Sequence, residues 1–243
     1  MVLLPLLLGC AGGMGAPAGA PLPTSSFRAE DRVVLGDFSM VQAIASSYER
    51  VYVVYPSAVA EWDPLRRAWQ VPRQAPTPDA LARVHSAVID PLDHALWLGG
   101  DDGLIHFEPL LDRWERLPIV GRVRALALDA TDPARGVWVQ AADGWWVLQP
   151  GGIPVRAVPP TTLRAAPTIE DAYRDLPMLR AMGPTLSLGP GLSPGRLTAA
   201  APMADQGGWF IGTDRHGLLA FDRFTATGTP MTPGLPGELI GAL

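Results

Sequence analysis

The sequence predicts an all-β fold made of repeated four-stranded antiparallel sheets, and three observations support this prediction. Ala95–Trp114, ALWLGGDDGLIHFEPLLDRW, alternates short apolar runs with tight polar turns. The same arrangement recurs at least three more times along the chain. Glycine and proline number 26 each among 243 residues, a composition that favours many turns over long helices.

Each repeat unit is expected to supply one small twisted sheet. In Ala95–Trp114, Asp102-Gly103 favours a tight hairpin turn because glycine accepts a positive φ, and Pro109 ends a strand because it has no N–H to donate. One such sheet cannot bury both of its faces, so it must stack on copies of itself. The strands expected in this unit are Ser86–Asp90, Leu96–Leu98, Leu104–Phe107 and Arg113–Leu117.

The units repeat in register. Phe107 and Trp114 follow Trp62 and Trp69 by 45 residues, and Val137–Val139 follows Leu96–Leu98 by 41. Repeats of 40 to 50 residues are typical of the blades of a β-propeller. The other units are Arg50–Trp69, Val123–Gly152 and Arg196–Met231.

The predicted fold is therefore an all-β propeller over residues 32–243, with about four blades and a partial one. Gly237–Leu243 resembles the first strand of a further unit, and Arg32–Leu35 is a possible isolated strand. Such a count indicates an open ring or a fragment of a larger propeller. Because an exposed apolar edge invites pairing, the chain is expected to self-associate.

An insertion over residues 155–195 interrupts the repeats and predicts a short helix. Thr168 and Asp171 have the spacing of a capping box, apolar residues from Ile169 onward share one helical face, and Pro177 ends or kinks the helix. The insertion is interpreted as a surface element packed on the propeller. The alternative is a lid over one mouth of the ring, or a helix that docks a partner.

The first residues predict export and lipid attachment. Residues 1–10, MVLLPLLLGC, contain an apolar run too short to span a bilayer, and Leu7–Cys10 resembles the lipobox of bacterial lipoproteins. Cys10 is the predicted lipid-attachment residue, unless the cysteine is incidental. Residues 11–31 have the composition of a flexible tether. With Ala11 after the cysteine, the resemblance implies an outer-membrane location in the cell envelope.

Charge and cysteine content exclude several function classes. The net charge is −5 and no basic run exceeds two residues, so the sequence lacks the electrostatic pattern of a nucleic-acid-binding protein. A single cysteine excludes a disulfide framework. The histidines are not at metal-ligand spacing, and neither a metal nor another cofactor is expected. The histidines are His85, His94, His106 and His216.

Two of the repeats resemble a known family. Ala95–Pro109 and Phe210–Asp222 are similar to the two-component-regulator propeller repeat, whose core reads roughly Leu-Trp-Ile-Gly-Thr-x-x-Gly-Leu-x-x-Tyr-Asp-Pro. The chain shows LWLGGDDGLIHFEP and, with an insertion, WFIGTDRHGLLAFDR. In that family such blades occur in periplasmic sensor regions and envelope lipoproteins. The resemblance implies a binding, scaffolding or sensor-like module with no catalytic role.

The candidate ligand-binding residues are few. Adjacent residues of a strand face opposite sides, so either Trp145 or Trp146 should be less buried and offer an aromatic platform. His216, beside a turn, is the third candidate. The expected partner is a protein or polysaccharide, with membrane contact only through the lipid. The alternative is a propeller enzyme, a lyase or hydrolase, in which His85, His94 or His216 meets a carboxylate at one ring mouth.

Overall fold

In a computed structural model of the chain, the strands form separate antiparallel sheets linked in chain order. Each sheet contains a meander of consecutive antiparallel strands; in addition β5 pairs with β3, and β14 pairs with β10. The described residues are 37–117, 121–132, 136–148, 153–186, 193–204, 207–225 and 227–233. The strands are β1 (Ala43–Ser46), β2 (Val51–Val54), β3 (Ala58–Asp63), β4 (Ala68–Trp69), β5 (Arg73–Gln74), β6 (Val84–Ile89), β7 (Leu96–Gly100), β8 (Gly103–Glu108), β9 (Arg113–Leu117), β10 (Val123–Asp129), β11 (Val137–Ala141), β12 (Gly144–Leu148), β13 (Val155–Arg156), β14 (Leu163–Ala165), β15 (Thr185–Leu186), β16 (Gly195–Pro202), β17 (Trp209–Thr213), β18 (Leu218–Phe221) and β19 (Gly228–Met231), and the helices are α1 (Ile169–Asp175) and α2 (Pro177–Met182).

The sheets are the blades of an open propeller, as the repeats predict. Blade 1 contains β1 to β5, blade 2 contains β6 to β9, blade 3 contains β10 to β14, and blade 4 contains β15 to β19. The equivalence read from the 45-residue offset is confirmed: Trp62 pairs with Trp69 in blade 1, and Phe107 pairs with Trp114 in blade 2.

The core lies between the blades. Blade 1 contributes Tyr52 and blade 2 contributes Phe107 to one apolar cluster. Trp97 of blade 2 packs with Leu126 of blade 3 in the next, and Phe210 of blade 4 packs with blade 1 in a third. Each sheet covers an apolar face of its neighbour. The stability of a blade therefore depends on its contacts with the blades beside it.

Glycines let adjacent blades approach closely. A Cβ atom on Gly99 would lie 2.5 Å from Val123 Cγ1 of blade 3, and one on Gly212 would lie 2.5 Å from Val41 Cγ1 beside blade 1. A turn over Gly99–Gly103 was expected from the sequence, but β7 continues through Gly100 and the turn is only Asp101-Asp102. The glycines serve inter-blade packing, which a local pattern does not reveal.

The insertion adds strands as well as helices. The capping box at Thr168 and Asp171 is confirmed, and Pro177 occupies the first turn of α2. Leu176 and Leu179 pack on the face of blade 4 that carries Trp209, opposite the face that packs on blade 1. The helices therefore stand where a further blade would pack.

The remaining predictions concern residues that the structure does not describe. Cys10, the tether over residues 11–31, the possible strand Arg32–Leu35 and the partial unit Gly237–Leu243 all lie outside the described ranges. Among the helices that are described, none has the length and apolarity needed to cross a membrane.

Candidate functional site

Two clefts lie beside the inner strands of the blades, where the chain enters the insertion. The chain leaves β14, which pairs with the inner strand β10, and crosses toward α1 through Ala166 and Pro167. Pro167 and Ala87 line a cleft on each side of this crossing. We name the cleft on the α1 side the upper cleft and the other the lower cleft.

The upper cleft has an apolar floor and a polar rim. Its volume is about 420 Å³. The floor consists of small side chains of β1 and β16, among them Ala43 and Ala199. The polar and aromatic side chains that line it come from β6, β16 and the start of α1, and they are His85, Ser86, Thr168, Glu170, Tyr173 and Thr198.

His85 lies at the start of β6, and the carboxylate of Asp101 is close to its imidazole ring. Its Nε2 lies 3.7 Å from Asp101 Oδ1, and the same carboxylate oxygen is 2.8 Å from Arg122 Nε. Burial lowers the pKa of His85 below its ordinary value of 6.5; Asp101 opposes this shift and Arg122 adds to it. His85 is therefore held neutral at the rim, with hydrogen-bonding capacity but no charge, at neutral pH.

The lowered pKa of His85 predicts a pH dependence of stability. The folded chain keeps the imidazole neutral to a lower pH than the unfolded chain does, so protonation favours unfolding. We expect the contribution of His85 to be intact above pH 6.5 and to be lost progressively below it. Thermal unfolding between pH 7.5 and 5 measures this, and His85→Gln should reduce the loss. An equally steep loss in the His85→Gln protein would assign it to other groups.

Helix α1 positions the opposite rim. Thr168 accepts a hydrogen bond from the Asp171 backbone N–H and donates its own N–H to the Asp171 carboxylate, which fixes the helix start. Tyr173 lies one helical turn onward, and its hydroxyl donates to the Gly183 carbonyl at 3.4 Å. The insertion thus builds one wall of the upper cleft.

The lower cleft is larger and more apolar. Its volume is about 640 Å³, and β1, β6, β10 and the residues after β14 line it. At its rim His94 Nε2 lies 3.9 Å from Glu49 Oε2. His94 has a φ of 60°, and Asp90 and Asp93 hold its turn by accepting backbone N–H groups.

The candidate tryptophans lie on blade 3, away from both clefts. Trp145 and Trp146 are both half-buried. Trp146 packs against the cluster between blades 2 and 3, donates to Asp143 Oδ1 at 3.1 Å, and has the Arg156 guanidinium 5.7 Å from its ring centre. A ligand platform at these residues stays a prediction.

His216 lies on blade 4, in a structural setting. Its backbone N–H donates to Thr213 Oγ1 at 2.7 Å, and its Nε2 lies 3.0 Å from the Ser193 carbonyl oxygen. The ring also covers Gly195, where a Cβ atom would lie 2.7 Å from His216 Cδ2. These contacts tie the turn between β17 and β18 to the start of β16, and a ligand-binding role stays a prediction.

Sequence reasoning named His85 only in the enzyme alternative and did not find the other residues of the upper cleft. His85, Tyr173 and Thr198 come from three distant segments, and no local motif joins them. The one available signal was the capping box at Thr168, which placed the helix but not its neighbours. Within the described ranges, no group of three or more His, Cys, Asp or Glu residues is arranged to hold a metal ion.

Comparisons with known proteins give distant likenesses only. No family model matches the chain, and no curated protein matches it. The extracellular domain of the putative one-component system BT4673 from B. thetaiotaomicron is 15% identical with a TM-score of 0.37, and the match covers 79% of this chain and 22% of that one. The chain thus spans under a quarter of that relative's length.

Two further solved structures show a similar degree of likeness. The extracellular domain of the putative hybrid two-component system BT3049 from B. thetaiotaomicron has 15% identity and a TM-score of 0.37, covering 79% of this chain and 30% of that one. The β-propeller domain of Cps50 (Swd1) from Myceliophteria thermophila has 12% identity and a TM-score of 0.38, covering 81% and 57%. The fold assignment rests on the chain's own strand order.

Proposed function

We propose that the chain is a non-catalytic binding module that receives an extended segment of a protein or polysaccharide in its upper cleft. The observation that carries this proposal is the convergence of polar and aromatic side chains from β6, β16 and α1 on one cleft whose other lining is apolar. A concave, mostly apolar cleft with a few polar groups is the usual form of a ligand site, and about 420 Å³ lies within the usual size range.

The chemistry of the rim defines the class of ligand. Tyr173 offers an aromatic surface, Thr198 a hydroxyl, and Glu170 a carboxylate. Together with the neutral imidazole of His85, these groups suit a ligand rich in hydroxyl or amide groups, since each accepts or donates hydrogen bonds. Extended peptides and glycans both have this chemistry.

The proposal extends to the cell envelope. Leu7–Cys10 supports lipid attachment at Cys10, and residues 11–31 support a tether between the lipid and the propeller. Such a module would work outside the cytoplasm, on the outer membrane. Mass spectrometry of the mature protein tests this part separately, because a diacylated Cys10 has a defined mass and an unmodified cysteine would contradict it.

The enzyme alternative receives less support. It requires one of His85, His94 or His216 to meet a carboxylate at a mouth of the ring. His85 lies 3.7 Å from Asp101 and His94 lies 3.9 Å from Glu49, and both distances exceed that of a hydrogen bond. The Asp101 oxygen is also 2.8 Å from Arg122 Nε, and Asp101 does not line the upper cleft. These contacts support binding over catalysis.

Site-specific photocrosslinking tests the binding proposal. A benzophenone amino acid at Thr198, an exposed residue of the upper cleft, should give a discrete adduct when the full-length chain is irradiated in cells. The matched control places the same group at Arg116, an exposed residue of the outer strand β9. We expect Tyr173→Ala to lower the Thr198 adduct about tenfold, as removal of a central aromatic contact does.

A control variant and two outcomes determine whether the crosslinking supports the binding proposal. Met178→Ala, in the neighbouring helix, should leave the adduct unchanged, since Met178 is exposed and does not line the cleft. Equal adducts from Thr198 and Arg116, or no adduct from Thr198, would contradict the proposal.

A further inference from the structure

The turns of the blades fall on two sides of the ring. In an antiparallel meander the first and third turns of each sheet lie at one end of the strands and the second turn at the other. A cleft confirms this for blades 1 and 2: Glu49 from the first turn of blade 1, Leu65 from its third turn and Leu110 from the third turn of blade 2 line it together. We name the side with the first and third turns the turn face.

Large apolar side chains at the tips of these turns are exposed. Leu110, Ile153 and Phe224, from three different blades, are 84%, 85% and 83% exposed. By contrast, the second turns Asp101-Asp102 and Ala142-Asp143 carry no large apolar residue. The exposed apolar residues in the first and third turns are Tyr48, Leu65, Leu92, Leu110, Leu111, Ile153 and Phe224.

Hydrogen bonds inside the turns hold two of these tips in place. Asp63 Oδ1 accepts the N–H groups of Leu65 and Arg66, both at 2.9 Å. In blade 4, Asp222 Oδ1 accepts the N–H groups of Phe224 and Thr225 at 2.7 and 2.8 Å. The same capping in two blades presents an apolar residue to solvent in a fixed turn, which lowers the entropy lost on binding.

Arginines flank the apolar tips. Arg66 and Arg67 follow Leu65, Arg223 precedes Phe224, and all three are exposed. The carboxylates in these turns, Asp63 and Asp222, accept backbone N–H groups, and Asp63 Oδ2 also lies 3.6 Å from Arg66 Nε. Elsewhere on the turn face the charges are mixed, because Glu49, Asp93, Asp112 and Arg113 are exposed. The exposed apolar side chains with arginines beside them in blades 1 and 4 match the interface of a bilayer that contains anionic lipid.

We propose that the turn face docks on an anionic membrane surface through its apolar tips. The tips lie on separate hairpins with polar clefts between them, such as the one lined by Arg50, Glu61 and Arg73. A bilayer accommodates separate inserting tips, whereas a protein partner needs one continuous complementary patch. The upper cleft opens at the opposite side, since His85 lies at the start of β6 and the turn face at its end. Docking would leave the upper cleft accessible, and it adds a second membrane contact to the lipid expected from the sequence.

Vesicle binding by the full-length chain tests this proposal. All samples carry Cys10→Ala, which removes acylation and the native thiol, so one introduced cysteine is uniquely labelled. An environment-sensitive dye at Phe224→Cys should shift to the blue with vesicles of phosphatidylglycerol and phosphatidylcholine. The matched control is Val158→Cys, which is 88% exposed and follows β13 at the end away from the turn face. We expect no shift there.

Substitutions then separate the contributions of the apolar tips and of the arginines to vesicle binding. Leu65→Ser, Leu110→Ser and Phe224→Ser should each lower the partition coefficient about tenfold, and Val158→Ser should not. Replacing Arg66, Arg67 and Arg223 with glutamine should reduce binding to anionic vesicles about fivefold per residue without affecting pure phosphatidylcholine. Circular dichroism checks that each variant is folded.

Several outcomes would overturn the proposal. An identical response of the dye at Phe224→Cys with and without vesicles would contradict it, and so would an equal loss of binding in the Val158→Ser and Phe224→Ser proteins. Light scattering could instead show a dimer that Phe224→Ser disrupts, which would make the turn face an interface between two copies of the chain. Loss of the Thr198 crosslink alone leaves this proposal intact, because the upper cleft and the turn face are separate surfaces.

Discussion

Replacing Trp97 with alanine is expected to lower the free energy of unfolding by about 3–5 kcal/mol. The side chain is 4% exposed and lies between blades 2 and 3, with Leu126 and Val139 of blade 3 in the same cluster. Its removal leaves a cavity that neither sheet can close alone. Urea unfolding followed by far-ultraviolet circular dichroism measures the change.

Trp145→Ala is the matched control for this prediction. Trp145 is also a strand tryptophan, but it is half-buried and lies outside the apolar clusters between blades. We expect its replacement to cost clearly less than that of Trp97. Similar losses for both residues would mean that inter-blade packing is not the main source of stability. The loss of unfolding free energy for Trp97→Phe should lie between those for Trp97→Ala and Trp145→Ala, because phenylalanine keeps a ring but leaves part of the space empty.

Replacing Leu179 with alanine is expected to lower the free energy of unfolding by about 2–5 kcal/mol. Leu179 is fully buried in the cluster that joins α2 to Trp209, Ile211 and Phe221 of blade 4. If the helices cover this blade face permanently, the cavity destabilises the whole propeller. Urea unfolding again provides the measurement.

Met178→Ala, one residue earlier in the same helix, is the control. Met178 is 55% exposed, and alanine is a slightly better helix former, so its replacement should change the stability by less than about 0.5 kcal/mol. A lid that opens freely would make both substitutions nearly neutral. A large difference between them identifies the insertion as the structural cover of an open ring.

Much of each blade was predictable because its determinants are close together in the chain. The alternation of apolar residues, the hairpin turn that ends at Gly103 with its φ of 106°, and the paired aromatics Trp62 and Trp69 all act within one repeat. The helix start at Thr168 was predictable for the same reason, since the capping box spans only four residues.

The candidate site was not predictable in the same way. Thr198 follows His85 by 113 residues, and only the packing of blade 1 between blades 2 and 4 brings both to one cleft. The sequence analysis also missed the strand β14. Its three residues have no strong alternating pattern, and they form a strand because they pair with the available edge of β10. Gly99 was read as part of a turn, although its function is to admit Val123 of the next blade.

The repeated antiparallel blades follow from the sequence alone, since turn chemistry and period-two alternation act between residues that are near in the chain. The packing of blade 4 on blade 1, the cover that α1 and α2 provide for the free face of blade 4, and the two clefts beside Pro167 depend on the tertiary structure. These contacts join surfaces that are far apart in the sequence. Burial of apolar surface stabilises them, but it leaves no pattern within any single segment.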